Sequence, residues 1–146
     1  MEQRLTAKCV LHQLGIGKSY KGYDYILYSL ELIAYDANCL TCITKTLYID
    51  VAQKFQTSST CVERNIRKVI EVIWKDIEEN RFYIKQIFGT RHLKTKPANK
   101  EFLELLYEYV KLENLFQTMY PTEKIICPIS QQQCTAYKEI LEKYIK

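Results

Sequence analysis

Glycine and proline are scarce in this chain, at four and three of 146 residues. An all-β protein needs more of both for its many turns, so that class is set aside at once. Histidine occurs only twice, as His12 and His92, far apart in the sequence. There is no G-x-S-x-G, no glycine-rich phosphate loop and no arrangement resembling a triad, so no catalytic activity is expected. No apolar run approaches the length of a membrane span. The first twenty residues also lack the continuous apolar stretch of a secretory signal, so a cytoplasmic protein with no membrane partner is expected. Six cysteines are present, with Cys39 and Cys42 in C-x-x-C spacing, but Cys127 and Cys134 are seven apart and make no second close pair. A zinc site usually needs one, so the reading is free thiols in a reducing compartment, with no metal and no cofactor.

What is present is ordinary globular material. Apolar residues make up 47% and charged residues 26%, which excludes a disordered or collagen-like chain. The length suits one well-buried domain. Helical spacing dominates. Leu5, Cys9, Val10 and Leu14 form one stripe, ended by Gly15 and Gly17, and Tyr23, Ile26, Leu27, Leu30, Ile33 and Ala34 form a second. After a polar break at 36–41, Leu47, Val51, Ala52 and Phe55 give a short third helix. Thr57, Ser58, Ser59 and Thr60 offer N-caps for a fourth, running to about Trp74, and a fifth spans roughly Ile77–Phe88 before Gly89. Asn99 can cap a sixth, with Phe102, Leu105, Leu106, Tyr109 and Leu112 on one side. Pro121 and Pro128 break the tail, and 130–146 reads as a last amphipathic helix with Tyr137, Ile140, Leu141 and Tyr144 apolar. The expectation is an all-α bundle of about six helices containing a helix-turn-helix, plus an additional C-terminal helix.

The net charge of +4 is too small to name a partner, but its placement is uneven. Residues 44–75 hold six cations against three acids, and 91–100 hold Arg91, Lys94, Lys96 and Lys100 with no acid. The first of these segments contains a short helix, a four-residue polar turn and a longer helix, the shape of a helix-turn-helix at about 47–75. At about 100° per residue, Val62, Ile66, Val69, Ile70 and Ile73 fall on one stripe of the longer helix. Opposite lie Arg64, Arg67, Lys68, Glu71 and Lys75, with Thr60 at the N-terminal end. One face for a core and one cationic face outward is what entry into a major groove requires. Arginine can bond guanine bidentately, while lysine, serine and threonine reach phosphates. Ser58, Ser59 and Thr60 at the helix start, Lys75 at its end, and Arg91, Lys94, Lys96 and Lys100 in the second segment are the candidate phosphate contacts.

Lys21-Gly22-Tyr23-Asp24-Tyr25, Ile43-Thr44-Lys45-Thr46-Leu47-Tyr48 and Val62-Glu63-Arg64-Asn65-Ile66-Arg67 are further recognisable as blocks. So are Ile70-Glu71-Val72-Ile73-Trp74, Phe88-Gly89 and Lys96-Pro97-Ala98-Asn99-Lys100-Glu101-Phe102. In this order and spacing, over roughly residues 8–112, the sequence resembles the C-terminal DNA-binding effector domain of the sporulation response regulator, the stage-zero sporulation protein A family. The resemblance implies a six-helix effector that binds short promoter boxes in double-stranded DNA, often in tandem, and activates or represses transcription. It implies that Glu63, Arg64, Arg67 and Lys68 contact bases, and Glu63 can accept from cytosine N4. A homodimer on DNA and a contact with RNA polymerase are the further partners of such an effector.

The sequence departs from the family pattern at Lys68, where histidine is usual, at Asn65, usually small, and at Cys61, often arginine. Ile49 replaces proline and Ala98 replaces threonine. The family places a phosphorylatable receiver before this effector, whereas few residues precede the match here, so a stand-alone effector is expected. Residues 1–112 are read as the effector domain, and 113–146 as an extension with one helix, packed on the domain or in a self-association contact. The alternative open at this point is a protein-interaction module that pairs with a full-length regulator without strong DNA binding of its own.

Overall fold

The computed structural model describes residues 2–119. They form six α-helices: α1 Glu2–Gln13, α2 Lys21–Tyr35, α3 Leu47–Lys54, α4 Ser59–Lys75, α5 Ile77–Phe88 and α6 Asn99–Met119. Short 3-10 turns at Ala37–Leu40 and Thr90–Leu93 complete the described structure, which contains no strand. The all-α expectation therefore holds. The expected helix at 130–146 and the breaks at Pro121 and Pro128 lie outside the described residues.

Local chemistry explains the boundaries. Gly15 takes φ +86°, where a side chain is disfavoured, and the Ile16 N–H reaches back to the Leu11 carbonyl at 2.9 Å to close α1. Gly89, at φ +93° and ψ 162°, also has a positive φ and ends α5. The Asp36 carboxylate accepts the Asn38 N–H at 3.0 Å and turns the chain out of α2. Thr46 Oγ1 sits 2.8 Å from the carbonyls of both Cys39 and Cys42, tying the connecting loop to the start of α3.

α2 buries Tyr23, Ile26, Leu27, Leu30 and Ile33, as its spacing predicts, while Ala34 is exposed. On α6 the expected face is rotated. Phe102, Leu103, Leu106 and Val110 are buried, Leu105 and Tyr109 are half-buried, and Leu112 is 64% exposed. At about 100° per residue Leu112 lies on the far side of Phe102 from Leu103, so a face that turns toward Leu103 and Val110 leaves it in solvent.

The helix-turn-helix is α3, the turn 55–58 and α4. Val62, Ile66, Val69, Ile70 and Ile73 are each no more than 1% exposed. Burying five branched side chains is worth on the order of 10 kcal/mol against leaving them in water, enough to fix the rotation of α4 about its axis. α2 presses on α4 at Gly22, where a Cβ would lie 2.4 Å from the Asn65 carbonyl oxygen and 2.6 Å from Val69 Cγ2. No side chain fits between these two helices at that point. The turn carries a less comfortable residue. Gln56 adopts φ +54°, and the Thr57 N–H closes the loop onto the Ala52 carbonyl at 2.9 Å.

Three of the chain's cysteines, Cys39, Cys42 and Cys61, are free as expected. Cys9, buried on α1, is disulfide-bonded and departs from that expectation.

Candidate nucleic-acid interface

α4 begins with a working cap. Ser58, in extended backbone, accepts the Cys61 N–H on its hydroxyl oxygen at 3.1 Å. Four candidates preceded the helix, and the structure selects Ser58; Ser59 and Thr60 then occupy the first turn. The start of an α-helix also carries N–H groups without intrahelical partners and the positive end of the helix dipole.

With the apolar stripe fixed inward, Arg64, Arg67 and Lys68 are exposed along the opposite face, and Lys75 is exposed at the far end. From Thr60 to Lys75 the helix rises about 22 Å. Glu63 is half-buried, and its carboxylate is ion-paired one turn along with the Arg67 guanidinium. Both groups keep solvent contact, at 30% and 53% exposed, so the pair orients Arg67 more than it stabilises the fold. Asn65 turns away from this face. Its amide donates to the Cys61 carbonyl at 2.8 Å and approaches Cys61 Sγ at 3.3 Å. The Cys61 thiol is itself held below its ordinary range, chiefly by a hydrogen bond from Thr57, with Tyr25, Lys21 and Asn65 acting in the same direction.

The second cationic segment is far from a free loop. Its 3-10 turn, Thr90–Leu93, places His92 in the interior, with Nδ1 2.9 Å from the Thr95 carbonyl. The Trp74 indole N–H, near the end of α4, donates to the His92 carbonyl at 2.6 Å. Trp74 also meets Phe88 at 5.2 Å and Phe102 at 6.4 Å between ring centroids, while Phe88 stacks on Phe102 at 5.1 Å. This aromatic cluster joins α4, α5 and α6 where the segment starts. At its other end, the Asn99 amide donates to the Glu63 backbone carbonyl and to Tyr48 Oη, both at 3.0 Å. Burial raises the Tyr48 hydroxyl above its ordinary pKa, and the Asn99 hydrogen bond and the Arg67 charge oppose that shift.

The predicted site residues are thereby partly assembled. A groove of about 740 Å³ lies between α4 and the second segment, with Ser59, Thr60, Glu63 and Arg67 on one wall and Lys96, Asn99 and Lys100 on the other. Ile43, Tyr48, Ile70 and Pro97 supply its apolar lining. Arg64, Lys68, Lys75, Arg91 and Lys94 are exposed outside the groove, and Ser58 flanks it as the cap. Arg91 has a partner, Glu101 on α6, at 3.6 Å with its own side chain 77% exposed.

Asn99, read as a cap, stands at the start of α6, but its two long-range amide bonds are not foreseen, and sequence reading is silent on Tyr48, Trp74 and Gly22 as positioning residues. A glycine inside an apolar helical stripe is a signal of close backbone approach, and it marks Gly22. No periodicity marks Asn99 or Trp74, whose partners lie 36 and 18 residues away. Among the described residues, no group of three or more His, Cys, Asp or Glu is placed to hold a metal ion, and no helix is long and apolar enough to cross a membrane. Residues 7–110 match the family described as sporulation initiation factor Spo0A C terminal.

Proposed function

The chain belongs to the Spo0A C-terminal family and is a DNA-binding effector domain of the sporulation-regulator type, and from that footing we propose that it regulates transcription by reading promoter boxes with α4 in the major groove. The observation that carries the reading is the division of α4 into a fully buried apolar face and an exposed face bearing Arg64, Arg67 and Lys68. Arg64 and Arg67 read guanine through O6 and N7, and Lys68 reaches a neighbouring acceptor. Glu63 has two tasks in this reading. It steadies Arg67 before binding and accepts from a cytosine amino group once Arg67 engages its own base.

The remaining contacts hold the protein in register. Ser58, Ser59 and Thr60 approach one phosphate at the start of α4, where exposed N–H groups and the helix dipole favour negative charge. Lys96 and Lys100 follow the adjacent backbone from the other wall of the groove, with Lys94 and Arg91 beyond them. Glu101 lies close enough to compete for Arg91, and an exposed pair of this kind is weak enough to exchange for a phosphate. Lys75 meets the backbone at the far end of the helix. None of these phosphate contacts carries sequence information.

Selection of bound duplexes from a random pool tests the reading. The unaltered chain should enrich a short defined box, and Arg67→Ala should relax that box at one base pair. Enrichment of no sequence by the unaltered chain would refute it.

A further inference from the structure

The geometry points to Asn99 as a positioning residue that makes the two cationic segments of this protein a single rigid surface, with residues 92–99 lying as a strap along the recognition helix. The inference rests on the DNA reading above for its functional meaning, and on the hydrogen bonds alone for its structure.

Both ends of the strap are bonded to the same helix. At one end the Trp74 indole holds the His92 carbonyl; at the other the Asn99 amide holds the Glu63 carbonyl. Glu63 and Trp74 are three turns of α4 apart, about 16 Å along its axis. Seven residues of extended chain reach up to about 25 Å, so the segment crosses that distance without strain. It runs antiparallel to α4, and Lys94 and Lys96, both exposed, sit between the two anchors.

The anchors differ in strength. The Trp74 end lies beside the stacked Phe88 and Phe102 rings and would persist without its hydrogen bond. At the other end Pro97 is buried, and one amide supplies the bonds to α3 and α4. Asn99 donates its two N–H bonds to Tyr48 Oη on α3 and to Glu63 O on α4, so it joins three elements at one point. A carbonyl oxygen has two lone pairs, which lets Glu63 O serve both the helix and Asn99. The same residue's carboxylate holds Arg67. A base-reading arginine and the phosphate-facing lysines are therefore referenced to one residue, Glu63, from its side chain and from its backbone. Asparagine suits this position because it offers two donors on a short side chain. Alanine offers none, and aspartate would set an acceptor against the Glu63 carbonyl.

The test uses the salt dependence of duplex binding together with amide hydrogen exchange in the free protein. Each backbone phosphate neutralised contributes close to one unit to the slope of log affinity against log salt. Asn99→Ala removes no charge, yet its slope should be shallower by about 1, because Lys96 and Lys100 no longer sit in register with Arg67. Exchange should rise at Lys94, Thr95, Lys96 and Ala98 and stay unchanged in α4. Tyr48→Phe, which removes one of the two acceptors and leaves the packing, should move both readouts in the same direction by less; it serves if the alanine variant does not fold. An unchanged slope and unchanged exchange at those residues in a folded variant would overturn the inference. If the unaltered protein showed no salt-dependent duplex binding, the DNA reading would fail instead, and the exchange measurement would still decide whether Asn99 holds the strap.

Discussion

The two cationic segments reach the same surface by different physical routes. α4 is oriented by its own periodicity: five buried apolar residues on one side dictate what the other side presents. Residues 91–100 have no such pattern, and their path is set by an imidazole bonded within the segment and by an indole and an amide that join it to partners distant in sequence. A helix carries its functional orientation in spacing alone. A loop carries it in individual tertiary bonds, which composition does not announce. The charge of the second segment is visible in the sequence, and its path is not.

That contrast can be broken at several points. The largest effect is expected where α4 is seated rather than where it reads. Gly22→Ala places a methyl against the Asn65 carbonyl and Val69. The gain in helix propensity, close to 1 kcal/mol, does not offset the forced separation of α2 and α4, and a net loss of about 2 kcal/mol is expected. Thermal unfolding should show a Tm lower by roughly 5–10 °C; an unaltered Tm would mean that the contact is soft. Next comes the reading face. Arg64→Ala should weaken binding to the selected box by about 1–3 kcal/mol and reduce discrimination at one base pair, with the Tm unchanged.

Ser58→Ala removes the α4 cap and should cost about 1 kcal/mol in denaturant unfolding, since the Cys61 N–H loses its acceptor. In the second segment, Lys94→Ala should weaken all duplexes alike and reduce the salt slope by about 1, which fluorescence anisotropy at several salt concentrations would detect. Discrimination lost at one base would instead place Lys94 on the reading face. The smallest change concerns the turn between α3 and α4. Gln56→Gly relieves a left-handed backbone at some cost in unfolded-state entropy, for a net stabilisation of roughly 0.5 kcal/mol. A destabilisation would show that the Gln56 side chain contributes more than its backbone strain costs.

Most of the fold was legible because its helices are amphipathic and its breaks are chemically marked. Gly15 and Gly89 do stop α1 and α5, and the serine and threonine run before α4 does contain its cap. What spacing and residue type leave open has a common cause. Leu112 keeps helical spacing with Leu105 and Tyr109, but several elements pack on α6 and draw its buried face toward Leu103 and Val110. Asn99 fits a cap by its type and place, and nothing local announces that its amide also donates to Tyr48 and Glu63. Local rules describe a residue's options, and tertiary partners choose among them. For the candidate site, residue types and the face of α4 were readable in advance; the groove between α4 and the strap was not, because it exists only once both are folded.

The central claim is that base reading resides on the outward face of α4 and register-holding in the second segment. The most direct measurement is the ratio of affinities for a selected box and a scrambled duplex at fixed salt, taken for the unaltered chain, Arg64→Ala and Lys96→Ala. Arg64→Ala should lower the ratio roughly tenfold or more, and Lys96→Ala should weaken both duplexes while leaving the ratio unchanged. A ratio that is insensitive to Arg64, or that collapses with Lys96, would contradict it.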